Sequence, residues 1–172
     1  MRLSRLTAAL IVVASSATLA FAAGPTDPQI AHIAYTAGVI DIEAAKLALQ
    51  KSKNAEVIAF ANDMVRDHGA VNEQALALVK KLGVTPEDND TSKSLAAAAE
   101  EKRASLAALD GNAFDKAYAE NEVAYHGTVN GALETTLIPG ASNAELKDLL
   151  ETGLKIFQGH QQHAEQLFSA LP

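Results

Sequence analysis

Beyond residue 22 the apolar positions of this chain recur at spacings of three and four rather than in alternation, and Pro and Gly fall between the periodic segments. The pattern predicts helix throughout, in five segments. The first runs from about Pro28 to Ser52, with Asp27 as N-cap, Pro28 at the first helical position, and Ile33, Ala37, Ile40, Ala44 and Leu47 on one stripe. The second, about Asn54 to Leu82, carries Ile58, Ala61, Val65, His68, Ala75, Val79 and Leu82 and stops at Gly83. A shorter third segment, about Thr91 to Leu109, is mostly Ala with a thin stripe of Leu95, Ala99, Leu106 and Leu109. The fourth spans about Asn112 to Leu137, offers Phe114, Tyr118, Val123, His126, Val129 and Leu133 for burial, and closes at Pro139-Gly140. The fifth starts at Ser142, with Glu145 completing a capping box, and runs to about Leu171 with His160 on its apolar stripe. The expected fold is all-α: an antiparallel bundle of four long helices and one shorter helix.

The N-terminus follows a different pattern. Met1-Arg2-Leu3-Ser4-Arg5 is short and basic, Leu6 to Ala20 is apolar apart from Thr and Ser, and Ala20-Phe21-Ala22 places small residues either side of a large one. That is the form of a secretory signal peptide cut after Ala22, leaving residues 23–172 as the exported bundle. The destination expected is the periplasm, with no membrane span after cleavage, because no later stretch is apolar enough to cross a bilayer.

Composition narrows the chemistry. Without Arg2 and Arg5 the chain keeps 12 basic against 21 acidic side chains, a net charge near −9, so the basic footprint of a nucleic-acid binder is absent. The chain has no cysteine, which excludes disulfides, thiolate metal sites, covalent c-type haem and thiol catalysis. There is no nucleophile elbow, P-loop or dinucleotide fingerprint, and no catalytic residue can be named.

An internal repeat says more than any short motif. Residues 60–72 align without gaps on residues 118–130, with six of thirteen positions identical, among them His68 with His126 and Asn72 with Asn130. The same offset of 58 superposes Glu43 on Glu101. This is the trace expected of a duplicated helical hairpin, which bundles of the ferritin-like kind use to build a site between their helices.

If successive helices run antiparallel, depth can be counted from the end shared by Lys53, Gly111 and the C-terminus. Glu43, Met64 and His68 then lie about 10 to 14 residues from that end, Glu122 and His126 repeat the depths of Met64 and His68, and His160 lies at about 11. At 1.5 Å per residue these groups share a slab about one helical turn thick. The candidate metal ligands are therefore His68, His126 and His160, with His163 one turn further as a fourth nitrogen and Glu43 and Glu122 as carboxylates. Imidazole and carboxylate suit a divalent transition metal such as Zn, Fe, Cu, Ni or Mn. Asp67 points about 100° away from His68 and is expected to flank it, and His32 is expected to be exposed. A di-iron carboxylate site needs Glu-x-x-His on two helices. Val65 and Val123 stand where those glutamates would be, which argues against ferroxidase chemistry.

Several of these runs resemble a known family. Met64-Val65-Arg66-Asp67-His68, the segment from Leu109 to Tyr118 containing Phe114-Asp115-Lys116-Ala117-Tyr118, His126, and His160-Gln161-Gln162-His163-Ala164 are similar to the exported bacterial family called domain of unknown function 4142. The resemblance implies a ferritin-like bundle in the periplasm with no established activity, carries the family's histidine positions onto His68, His126 and His160, and matches Glu43 to its acidic position in the first helix. Glu122 and Tyr125 depart from the pattern.

Two functions of different class follow. One is a periplasmic metal-binding bundle serving metal handling or a stress response. The alternative is a non-catalytic envelope protein whose buried histidines form a polar layer without metal. Nothing identifies a protein partner, and a homodimer is compatible with the sequence. A b-type haem held by Met64 and a histidine has no specific signal. The first outcome to check is processing: expressed with its own leader, the protein should have the intact mass of a chain beginning at or near Ala23, and a full-length membrane-bound product would show the segment to be an anchor.

Overall fold

The structure, a computed structural model, describes residues 24–172; the expected leader over residues 1–22 lies outside them. Six helical elements follow one another: α1 (Asp27–Lys51), α2 (Ala55–Leu82), α3 (Asp90–Ala107), α4 (Gly111–Ala132), a short α5 (Ile138–Gly140) and α6 (Ala144–Ala170). Among the described residues no helix is long and apolar enough to cross a membrane.

Side-chain caps fix the starts of α1, α2, α3 and α6, not all at the residues expected. Asn54 accepts from the amides of Glu56 and Val57 at the start of α2, and Asn89 from that of Ser92 at the start of α3. At α1 the cap is Thr26, whose amide donates to Gln29 Oε1, and Asp27 is already helical. The Asp27 carboxylate serves another helix instead, accepting from the Ser142 and Asn143 amides at 2.8 and 2.9 Å and so tying the start of α1 to that of α6. Asn143, not Ser142, caps α6 by accepting from Leu146. Gly83 ends α2 in the left-handed region (φ +65°), where Val84 donates back to Val79.

Pro139 does not stop the fourth segment at Leu137. It lacks an N–H and its ring would crowd the carbonyl four residues earlier. The chain widens into a π turn over Leu133–Leu137, and one more helical turn, α5, carries Pro139 to Gly140. A wider turn is a common way for a helix to absorb such a mismatch.

Four helices form the core in the cyclic order α1, α2, α6, α4, each antiparallel to its neighbours, and α3 packs outside along α1 and the edge of α4. Because α2 and α4 run the same way, the chain must return the length of the bundle between them, and α3 is that crossover. This is the ferritin-like arrangement, with the last helix rather than the third completing the core. α3 is Ala-rich and buries only Ser92 and Leu106.

The repeat appears in the core faces of α2 and α4. Val57, Phe60, Ala61, Met64, His68 and Asn72 are the buried residues of α2, and the positions 58 later, Asp115, Tyr118, Ala119, Glu122, His126 and Asn130, are buried in α4. The α2 face is rotated from the expected stripe, with Ile58 and Val65 only partly buried. The duplication does not extend to a hairpin in the core, since α3 is outside it. The helix opposite α1 is α6, and Ala31, Gly38, Asp41, Ala45 and Ala48 correspond at an offset of 119 to the buried Leu150, Phe157, His160, Ala164 and Leu167.

Two apolar clusters lie towards the ends of the bundle. One gathers Phe60, Met64, Phe114, Tyr118 and Leu167 near the α1–α2 turn, and the other Ile30, Ile33, Leu133, Leu146, Leu150 and Phe157 near the opposite end. The ionisable layer lies between them.

A candidate metal centre

Three imidazoles meet in that layer, each from a different helix. The ring centroids of His68, His126 and His160 form a triangle with sides of 5.6, 5.3 and 5.5 Å, and all three residues are buried. One ring nitrogen of each lies within 4.8 Å of the others. Phe157 stacks on His68 at 4.3 Å and 6°, fixing the plane of its ring.

Carboxyl groups complete the layer. Asp41 of α1, buried like the imidazoles, places Oδ2 3.6 Å from Nε2 of His68 and 3.6 Å from Nε2 of His126, too far for a hydrogen bond to either. Glu122, fully buried one turn before His126, brings Oε2 to 3.6 Å from Nδ1 of His126. Asp41, Glu122 and His126 thus form a second set of converging donors that shares His126 with the first.

The hydrogen bonds decide which nitrogens point inward. His126 Nδ1 donates to the Glu122 carbonyl at 3.0 Å, leaving the Nε2 lone pair free. His160 Nε2 donates to Asp67 Oδ2 at 3.0 Å, leaving the Nδ1 lone pair free. Asp67 is held in turn by Arg66. Metal-bound histidines are oriented in this way, with the distal N–H on a carboxylate or carbonyl. His126 Nε2, His160 Nδ1, both nitrogens of His68 and both oxygens of Asp41 have no hydrogen-bond partner in the protein. So many polar atoms without partners in one buried layer is rare in a native fold and calls for a specific cause.

The expected site residues divide accordingly. His68, His126, His160 and Glu122 come together. Glu43 does not: it is exposed on the outer face of α1 and pairs with Arg103 of α3. His163 is exposed and sets its ring edge-on to Phe60 at 5.1 Å. His32 is half-buried rather than exposed, about 14 Å from Asp41 along α1 by the helical rise. Asp41 is the residue sequence reasoning missed. It follows Ala37 by four and precedes Ala44 by three, so it sits on the stripe already identified, whereas Glu43, indicated by depth and by the family resemblance, lies off that stripe. Asp67, expected only to flank, bonds across helices to His160.

Burial sets the protonation states. It pushes His126 down from an ordinary value of 6.5 to about 4, lowers His68 well below 6.5 with help from the two facing imidazoles, and lowers His160 against the opposing pull of Asp67. Burial raises Asp41 from 3.8 to about 7, with the neighbouring Glu122 carboxyl moderating the rise, and raises Glu122 well above its usual value, reinforced by the charge of Asp41. Near neutral pH the imidazoles are unprotonated with available lone pairs, and the carboxyl pair retains protons that a cation would displace.

The chain matches the family model described as "Domain of unknown function (DUF4142)" over residues 13–167. No curated protein matches it. Among solved structures it is similar to one described as "CopM in the Cu(II)-bound form", with a TM-score of 0.64 and 13% identity, covering 85% of this chain and 97% of that one. At that identity the likeness shows the fold alone.

The layer yields a pH dependence with two opposing parts. Between the folded and unfolded pKa values of the three histidines the unfolded chain binds more protons, so their contribution is lost as pH falls below about 6.5. Asp41 and Glu122 act in the opposite sense: the folded chain binds more protons above about 4, so their contribution is lost as pH rises through about 7 and beyond. Chelator-treated protein should therefore melt highest near pH 6.5 and lose stability on both sides. Asp41→Asn with Glu122→Gln should remove the alkaline decline and steepen the acidic one. An acidic limb of the same slope in that variant would contradict the assignment.

Proposed function

The chain belongs to the DUF4142 family, whose description names no activity, so the function must be argued from the site, and we propose that this protein is a metal-binding bundle for a divalent transition ion. Its ligands are His68, His126, His160 and Asp41, with Glu122 behind them, and its setting is the periplasm, reached by the leader over residues 1–22. The observation that carries the proposal is the convergence of partnerless lone pairs from four helices in a buried layer between two apolar clusters.

Charge supports the same reading. Three neutral imidazoles and two carboxylates balance a dication, whereas without one the layer avoids buried charge only by keeping protons on its acids. Three nitrogens and an oxygen suit copper(II) and zinc better than the all-oxygen preference of Mg or Ca. Copper(II) is the first ion to try, because it stands highest in the Irving–Williams order and because CopM, a bundle of similar fold, has been solved with Cu(II) bound. A deeply buried site with its ligands held by further hydrogen bonds fits retention and handling of the ion.

Chelator-treated protein titrated with Cu(II) and Zn(II) should take up one ion per chain, and a hundredfold excess over Kd should raise the Tm by about 5 to 10 °C. His68→Ala, His126→Ala and Asp41→Asn should each remove most of that rise. Asp67→Ala, which frees His160 without removing a ligand, should weaken binding about 10- to 100-fold. His32→Ala, His163→Ala and Glu43→Gln should leave it unchanged. Binding no tighter than scattered surface histidines give, or binding lost with His32 or His163, would leave the metal-free polar layer as the better account.

A further inference from the structure

Below the imidazole layer the bundle is not filled. A cavity of about 610 Å³ is bordered by His68 to Val79 on α2, His126 to Leu137 on α4 and the π turn after it, Phe157 back to Leu146 on α6, and Ala31 to Gly38 on α1. Each of the first three stretches is twelve residues, eleven rises of the helix, so the cavity extends about 16 Å along the bundle axis. Its width comes from small residues at positions where a leucine would close the space, Ala34, Ala75 and Ala132. Protein interiors rarely leave voids much larger than a water molecule, and a space with mainly apolar walls holds water poorly.

The polar groups on its walls are unevenly placed: Asn72, Tyr125 and Thr128 donate to backbone carbonyls, and exposed Asp90 stands at the mouth. Exposed Thr91 and Ser94, at the start of α3, border it on one side and give it a route to solvent. At its inner end stand His68 and His126, with nitrogens that have no partner in the protein. A long apolar chamber with one polar end is the form of a site for a molecule with a tail and a head.

We infer that this cavity binds a single-chain aliphatic carboxylate, its alkyl tail lying along the bundle axis between α2, α4 and α6 and its head at His68 and His126. The tail site stands on the cavity alone. The head rests on the metal-binding proposal: with the ligand bound, Glu122 keeps its proton, so that Asp41 and the arriving carboxylate are the two negative charges that balance a dication at the imidazoles.

The test is calorimetric titration of the full chain with decanoate, octanoate and hexanoate, below their aggregation range, on chelator-treated and Zn(II)-loaded protein, with 1-octanol as the headless control. Decanoate should bind once per chain, and each loss of two methylenes should weaken binding about tenfold, a dependence that a surface site would not give. Zn(II) should tighten octanoate but not octanol. Ala34→Leu and Ala75→Leu, made separately, should each weaken decanoate at least about tenfold while leaving Zn(II) affinity intact, which also shows that the variants are folded. Binding that ignores chain length, no binding, or filled variants that bind like the parent would overturn the tail site. Equal tightening of octanol and octanoate by Zn(II) would overturn the placement of the head. Zn(II) uptake without decanoate binding defeats this inference alone, and decanoate binding without Zn(II) uptake defeats the metal proposal and the head placement while the tail site survives.

Discussion

The burial of five ionisable side chains in one layer of a helical bundle is the constraint on which the rest of this structure depends. Removing Asp41, Glu122, His68, His126 and His160 from water disfavours every charged form among them, and so the imidazoles are driven neutral while the acids hold protons. Such a layer is tolerable only if its polar atoms find partners. Part of the demand is met inside the protein, by the Glu122 carbonyl on His126 and by Asp67 on His160. The remainder falls into two overlapping sets of donors that share His126, and these are what the proposed ion would satisfy.

The fold delivers these groups with economy of means. Sending α3 back along the outside lets α2 and α4 run parallel on opposite sides of the core, so a repeated sequence places His68 and His126 at one depth. The other diagonal, α1 and α6, sets Asp41 opposite His160 by the register that pairs Ala45 with Ala164. The aromatic and Met residues above close one end of the layer, and below it the Leu residues and Phe157 line the apolar cavity that reaches His68 and His126. The crossover helix itself is held by few buried residues, and both the apolar cavity and the outer approach to Asp41 and Glu122 are bordered by it.

Much of this was legible in the sequence, for reasons that also explain the misses. Counting residues from a shared end works because a helix rises uniformly, and it brought His68, His126, His160 and Glu122 to one level. Depth says nothing of angle around the helix, however. Glu43 and His163 have suitable depth but the wrong face, and Asp41 has the right face but was passed over because an acid within an Ala stripe does not look like core. The repeat marked α2 and α4 correctly as equivalent but suggested paired hairpins, because sequence similarity cannot show that the intervening helix lies outside. The continuation through Pro139 was hidden for a similar reason: the wider turn that admits it leaves no pattern of its own.

The most direct test of the account is the X-ray absorption spectrum of Cu(II)-loaded protein at one ion per chain. The account predicts a shell of nitrogen and oxygen near 2.0 Å with outer-shell scattering from three imidazoles, falling to two in His160→Ala. A shell dominated by oxygen with one imidazole or none, or one containing sulfur from Met64, would contradict it.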